Sequence, residues 1–199
     1  MIRVIWGSLV AAVAMMVIGF VFFGPLGLNN LATKSVQDDP AVRIQAALKA
    51  DLPETGTYIV PIDGKSARQT ALYGTGPIAT IHYVANGQIG GMDTGTLFKG
   101  FVFNFAIALL IGLALIGIDG RVTDFGSRAR VAAIIGIAGS GFVHLGEPIY
   151  YHHDWPHFLY AFIADGLMLA AAGIIVAWFL KTPPIEAQAA ATTEAREET

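Results

Sequence analysis

Four apolar blocks constrain this chain more than any other feature: Ile5 to Phe23, Phe101 to Ile118, Val131 to Tyr150 and Phe158 to Leu180. Each comes close to the ~20 residues that an α-helix needs to cross a hydrocarbon core of ~30 Å. Charged residues make up 14% of the 199, about half the share of a soluble domain. The expected fold class is therefore mainly α, a four-helix transmembrane bundle with a small extracytoplasmic α+β insertion between spans 1 and 2.

The first block follows Arg3 and runs into Phe20-Val21-Phe22-Phe23. It is longer than a signal-peptide core and has no Ala-x-Ala-like site, so it reads as a retained signal anchor. Arg3, Arg121, Arg128, Arg130 and Lys181 all fall on one side of a four-span path, with the three middle arginines in the connection between spans 2 and 3. Basic residues in short loops stay inside. This predicts a multi-pass protein of a bacterial inner (cytoplasmic) membrane with both termini cytoplasmic. The domains expected are residues 1–24 as the first span, 25–99 as the extracytoplasmic segment, 100–181 as spans 2 to 4, and 182–199 as a flexible cytoplasmic tail rich in Ala, Thr and Glu.

The extracytoplasmic segment balances six basic against six acidic residues, which suits a solvated face. Asp38-Asp39-Pro40 predicts a helix start, with an aspartate as cap and proline at the first helical position. Val42, Ile44, Ala47, Leu48 and Leu52 then give an apolar stripe that ends before Pro53. Thr57 to Val60 and Ile78 to Val84 read as strands, and Asn86-Gly87 signals a hairpin before Gln88-Ile89. So small a segment is marginal alone and is expected to lean on the membrane helices or on a partner.

Polar and ionisable residues are costly within a span and usually face a protein interior. Asn104, His144, Glu147 and Asp165 are such residues. Ala132, Gly136, Ser140 and His144 recur at intervals of four, a small-residue face on which helices approach closely. Asn104, Ala108 and Gly112 repeat the pattern in span 2, and Asp165 shares a face with Leu169, Ala172 and Val176 in span 4. At 1.5 Å per residue, His144 and Asp165 both lie ~10 Å below the outer interface. The four are expected to form one buried polar cluster in the outer leaflet, with a His144–Asp165 hydrogen bond geometrically possible.

This cluster admits several chemistries. The side chains can serve packing alone, each contact worth ~0.6–2 kcal/mol. A transition-metal site can be drawn from His144, Glu147 and Asp165, completed by His153 or His157. A di-iron bundle needs a second Glu/His helix pair, which is missing. Haem b needs two facing ligands, and only His144 lies deep in a span, with His157 or another subunit left to supply the second. Proton or small-solute handling, as in a transporter or pH sensor, would use His144. It finds no continuous polar path, because the inner halves of spans 2 to 4 are apolar. Tyr150, Tyr151, Trp155 and Tyr160 suit an interfacial aromatic belt.

Other classes lack their residues. The chain has no cysteine, hence no disulfide, thiolate metal site or c-type haem attachment. Gly139-Ser140-Gly141 lies within a span, and Gly74-Thr75-Gly76-Pro77 lacks the lysine of a phosphate loop. No basic patch points to nucleic acid, and no residue is assigned a catalytic role. The expected function is a non-enzymatic accessory or scaffold subunit of a larger membrane complex. Its partners would be the lipid bilayer and other membrane subunits or a second copy.

The phrase Ala47-Leu48-Lys49-Ala50-Asp51-Leu52-Pro53-Glu54-Thr55-Gly56-Thr57-Tyr58, with Asn104, Trp155-Pro156 and Asp165, resembles a group of uncharacterised small bacterial four-span membrane proteins. The resemblance implies the architecture of one span, an outer segment and three more spans, and no activity. His144 and His152-His153-Asp154 depart from the group's pattern.

Overall fold

The computed structural model describes residues 1–87 and 93–180. Its elements, in chain order, are α1 (Ile2–Phe23), a 3₁₀ turn (Leu28–Leu31), α2 (Asp38–Asp51), β1 (Gly56–Val60), α3 (Ala67–Thr75), β2 (Ala79–Tyr83), α4 (Thr94–Gly117), α5 (Phe125–Tyr150) and α6 (Trp155–Phe179). Helices α1, α4, α5 and α6 are each long and apolar enough to cross a membrane, as a multi-pass protein requires. Residues 34–93 form one compact unit, and the long helices with residues 1–33 form the other.

Local chemistry at the ends, a cap bond for α5 and a proline for α6, extends the helices beyond the apolar blocks. Helix α5 begins at Phe125, ahead of the expected edge at Val131, because Asp124 Oδ1 accepts the Ser127 N–H at 2.8 Å and caps the first turn. Arg128 and Arg130 therefore belong to α5 and not to the connection before it. Helix α6 begins at Trp155 with Pro156 in its first turn, where a missing N–H costs nothing. His157 thus sits on the helix, and the reversal is made by Tyr151 to Asp154 alone, with His152 in the left-handed region at φ 57°. Helix α4 starts at Thr94, which brings Lys99 into the helix. The tail from residue 181 lies outside the described residues.

Helix α6 packs most extensively on α5 and next on α1, and α1 in turn packs on α4. Helix α4 meets α6 only modestly and α5 hardly at all. The four helices are accordingly no closed ring, and an apolar cleft separates α4 from α5. The core is built from small residues, among them Ala11, Ala108, Ala132, Ala172 and Ala177, with Met15, Leu115 and Val176. Small side chains let backbones approach and gain dispersion contacts where lipid gives no hydrophobic drive. At Gly112 an added Cβ would fall 2.5 Å from Val4 Cγ1, and at Gly173 2.5 Å from Ala132 Cβ. A side chain at either position would force its neighbour to shift.

In the other unit, β1 pairs antiparallel with β2 in the register Gly56↔Tyr83 to Val60↔Ala79. Helix α3, which no apolar stripe foreshadows, connects them. Ser66 Oγ caps it by accepting the Gln69 N–H, while Ile62 N–H donates to Gln69 Oε1 and Gly64 N–H to Thr70 Oγ1. Helix α2 starts at Asp38 itself with Gln37 as its cap residue, so the expected aspartate cap is absent. Asp38 and Asp39 instead lie in the first turn, where their charge favours the helix dipole. The hairpin expected after Asn86-Gly87 runs into residues outside those described. None of the unit's described residues is buried. Val42, Ile44, Ile59, Val60, Leu72, Ile78 and Val84 are all exposed.

Candidate functional site

The stripe at intervals of four on α5 is a ladder against α6, and it extends one rung further back than the small residues suggested. Arg128 reaches the Leu180 carbonyl, Ala132 meets Gly173, and Gly136 meets Leu169. Ser140 Oγ donates to the Phe162 carbonyl at 2.9 Å, and His144 Nε2–H donates to Asp165 Oδ2 at 2.7 Å. Antiparallel helices in register explain why one spacing on α5 finds partners all along α6. The face proposed for α6 divides, however. Asp165 and Leu169 turn to α5, whereas Val176 lies against the Gly112 position of α4.

The polar candidates resolve into two bonded pairs rather than one network. His144 and Asp165 form the first, with side chains 18% and 39% exposed. Glu147 and His153 form the second, with His153 Nδ1–H donating to Glu147 Oε2 at 3.0 Å. Its ring stacks on both Tyr151 and Phe158, with centroids 5.9 and 5.5 Å away. His157 sets its ring edge-on to Phe158. Asn104 is buried on α4, in the seam with Ala108 and Gly112, and makes no side-chain hydrogen bond among the described residues. Among the described residues, no three His, Asp or Glu side chains converge as a metal site would need.

A carboxylate on one ring nitrogen fixes the tautomer and leaves the lone pair on the other. In this arrangement His144 offers Nδ1 and His153 offers Nε2. Tyr160 donates its hydroxyl to the Phe22 carbonyl at 2.6 Å and packs its ring on Phe22 and Phe23. It ties the start of α6 to the end of α1.

Arg128, expected in the connection between spans 2 and 3, is instead buried within α5. It is 2% exposed, and its guanidinium spans three acceptors. Nε donates to the Val122 carbonyl and one terminal nitrogen to the Leu180 carbonyl, both at 2.7 Å, while the other pairs with Asp119. A cation at the C-terminal end of α6 also complements that helix's dipole. The available signal was the spacing itself, because 128 precedes Ala132 by the same interval of four. At the adjoining cap, hydrogen bonds from the Ser127 backbone and hydroxyl hold the Asp124 carboxyl below its ordinary pKa of 3.8.

Compared with known proteins, the chain matches no family model, and no curated protein or solved structure is significantly similar to it.

Proposed function

We propose that this is a multi-pass protein of a bacterial inner membrane, serving as a non-enzymatic accessory or scaffold subunit of a larger membrane assembly. The observation that carries the reading is the unit at residues 34–93, which buries none of its described residues. A self-sufficient domain of this size buries about 60% of the surface of its unfolded chain. A unit whose apolar residues stay exposed gains its stability by covering them with another surface. The long helices fit the same role, since several of their polar side chains are spent on internal ties, as from Ser140 to Phe162 and from Tyr160 to Phe22.

The orientation follows from charge. Gly7 abuts Phe179 and Gly112 abuts Val4, so the start of α1 and the ends of α4 and α6 share one end of the helices. Arg3, Arg121, Arg128 and Arg130 gather there, and the positive-inside rule assigns that end to the cytoplasm. The test is a tagged purification from native membranes in polymer discs, after photocrosslinking from Val42 and Ile44. Discrete crosslinked partners, or a second copy, are expected. A monomer crosslinked only to itself overturns the reading.

One observation favours a rival. Two histidines each oriented by a carboxylate are the arrangement by which proteins present imidazole to a metal. His144 and His153 would then be ligands in a metal-dependent redox component. Elemental analysis and an absorption spectrum of the purified protein decide this. Stoichiometric iron, copper or manganese supports the rival, and a metal-free protein, or one holding only redox-inert zinc, removes it.

A further inference from the structure

The cleft between α4 and α5 has a volume of about 410 Å³, and its lining is wholly apolar. Ile107, Ala114 and Ile118 form one wall, Val131 and Ile135 the other, and Leu169 of α6 the floor. From Ile107 to Ile118 the helix rises about 16 Å, which is half of a ~30 Å hydrocarbon core. The cleft therefore has the length of one leaflet's acyl chain, and it has no polar group to offer a substrate.

The chain just beyond the Ile118 end of the cleft carries charge. Ile118, a lining residue, accepts backbone hydrogen bonds from the Arg121 and Val122 N–H groups at 2.9 Å. This fixes the Arg121 backbone one turn beyond Ile118, at that end of the cleft. The Arg121 side chain is exposed and has no ion pair among the described residues. Nearby charges are already engaged, Asp119 by Arg128 and Asp124 by Ser127. An arginine borne one turn beyond the end of an apolar slot, without an ion pair among the described residues, is complementary to a phosphate above an acyl chain, and basic sites between transmembrane helices on the cytoplasmic side favour anionic headgroups.

We infer that the α4–α5 cleft is a binding site for one anionic glycerophospholipid, with an acyl chain between the helices and the phosphate on Arg121. The inference rests on the membrane reading alone and stands whether or not the accessory role does. Arg130 provides an internal control. Val131, Ala132, Ile135 and Gly136 occupy the cleft face of α5, and at 100° per residue Arg130 points away from it.

The experiment is native mass spectrometry of the full chain released from nanodiscs of equal phosphatidylglycerol and phosphatidylcholine. The wild type is expected to retain phosphatidylglycerol about fivefold over phosphatidylcholine, the ratio that one arginine at an anionic surface supplies. Arg121→Gln removes the preference and Arg130→Gln keeps it. Ala114→Phe fills the cleft from an exposed position and strips both lipids, with helicity by circular dichroism unchanged. No preference in the wild type, or equal losses in Arg121→Gln and Arg130→Gln, overturns the inference. So does an Ala114→Phe protein that keeps its lipid but changes from dimer to monomer, which would make a second copy the occupant.

Discussion

His144 Nε2 lies 2.7 Å from Asp165 Oδ2, closing the outermost rung of a ladder that runs the length of the α5–α6 contact. Both side chains keep partial access to the surroundings, at 18% and 39% exposure, so the pair is neither sealed nor free. That intermediate position limits what the bond contributes. A fully buried pair would be costly to break, and a free one would contribute almost nothing.

A double-mutant cycle of His144→Ala and Asp165→Ala should therefore return a coupling of about 0.6–2 kcal/mol, the range for polar contacts between membrane helices. Steric-trap or denaturant unfolding in mild detergent measures it. A coupling indistinguishable from zero would show that the two side chains do not act as a pair.

Arg128→Ala leaves the Val122 and Leu180 carbonyls without their donor, and we expect a loss of about 1–3 kcal/mol. Arg128→Lys should recover only part, because an ammonium lacks the fork that reaches three acceptors. Asp119 is 61% exposed, so Asp119→Asn should cost less than about 1 kcal/mol. If the Asp119 variant is as damaging as Arg128→Ala, the carbonyls are not what Arg128 serves. Thermal unfolding of the three variants side by side gives the answer.

Glycine positions separate packing from mere composition. Gly173→Leu must push against the Ala132 backbone and should cost about 1–3 kcal/mol or more. Gly139→Leu meets nothing within 4 Å and should stay within about 0.5 kcal/mol of the parent. Equal melting temperatures for the two would contradict the α5–α6 seam.

Two serines should respond in opposite directions. Ser140→Ala loses a hydrogen bond to the Phe162 carbonyl and should destabilise by about 1 kcal/mol. Ser8 Oγ is buried without a partner among the described residues, so Ser8→Ala should be neutral or stabilising by up to about 1 kcal/mol. A clear loss of stability in Ser8→Ala would mean that this hydroxyl finds a partner.

Protonation of the Asp124 cap should loosen the start of α5. Its folded pKa is depressed below 3.8, so its contribution is complete above that value and is lost as pH falls through the lower folded value. Amide exchange at Ser127, corrected for intrinsic rates, should accelerate over that acid window in the parent. Asp124→Asn should flatten the response, and an unchanged acid response in that variant would assign the effect to another group.

The positions of the four spans were legible because hydropathy and span length are local, additive properties of a segment. The stripe from Ala132 to His144 was equally legible, since helical spacing alone puts those residues on one face. Boundaries were misplaced where local chemistry decided them: the Asp124 cap bond moved Arg128 and Arg130 into α5, and Pro156, which suits a first helical turn, moved His157 into α6. Helix α3 escaped because it rests on Ser66, Gln69 and Thr70 rather than on an apolar stripe. Spacing within one helix cannot say which neighbour it faces. Only the packing of α6 between α5 and α1 sent Asp165 to His144 while leaving Asn104 in another seam, split Glu147 off with His153, and opened a cleft between α4 and α5. The sequence by itself determined the spans and the polar residues they carry. The tertiary structure decided which of those residues meet, because helix rotation and partner choice depend on all the interfaces at once.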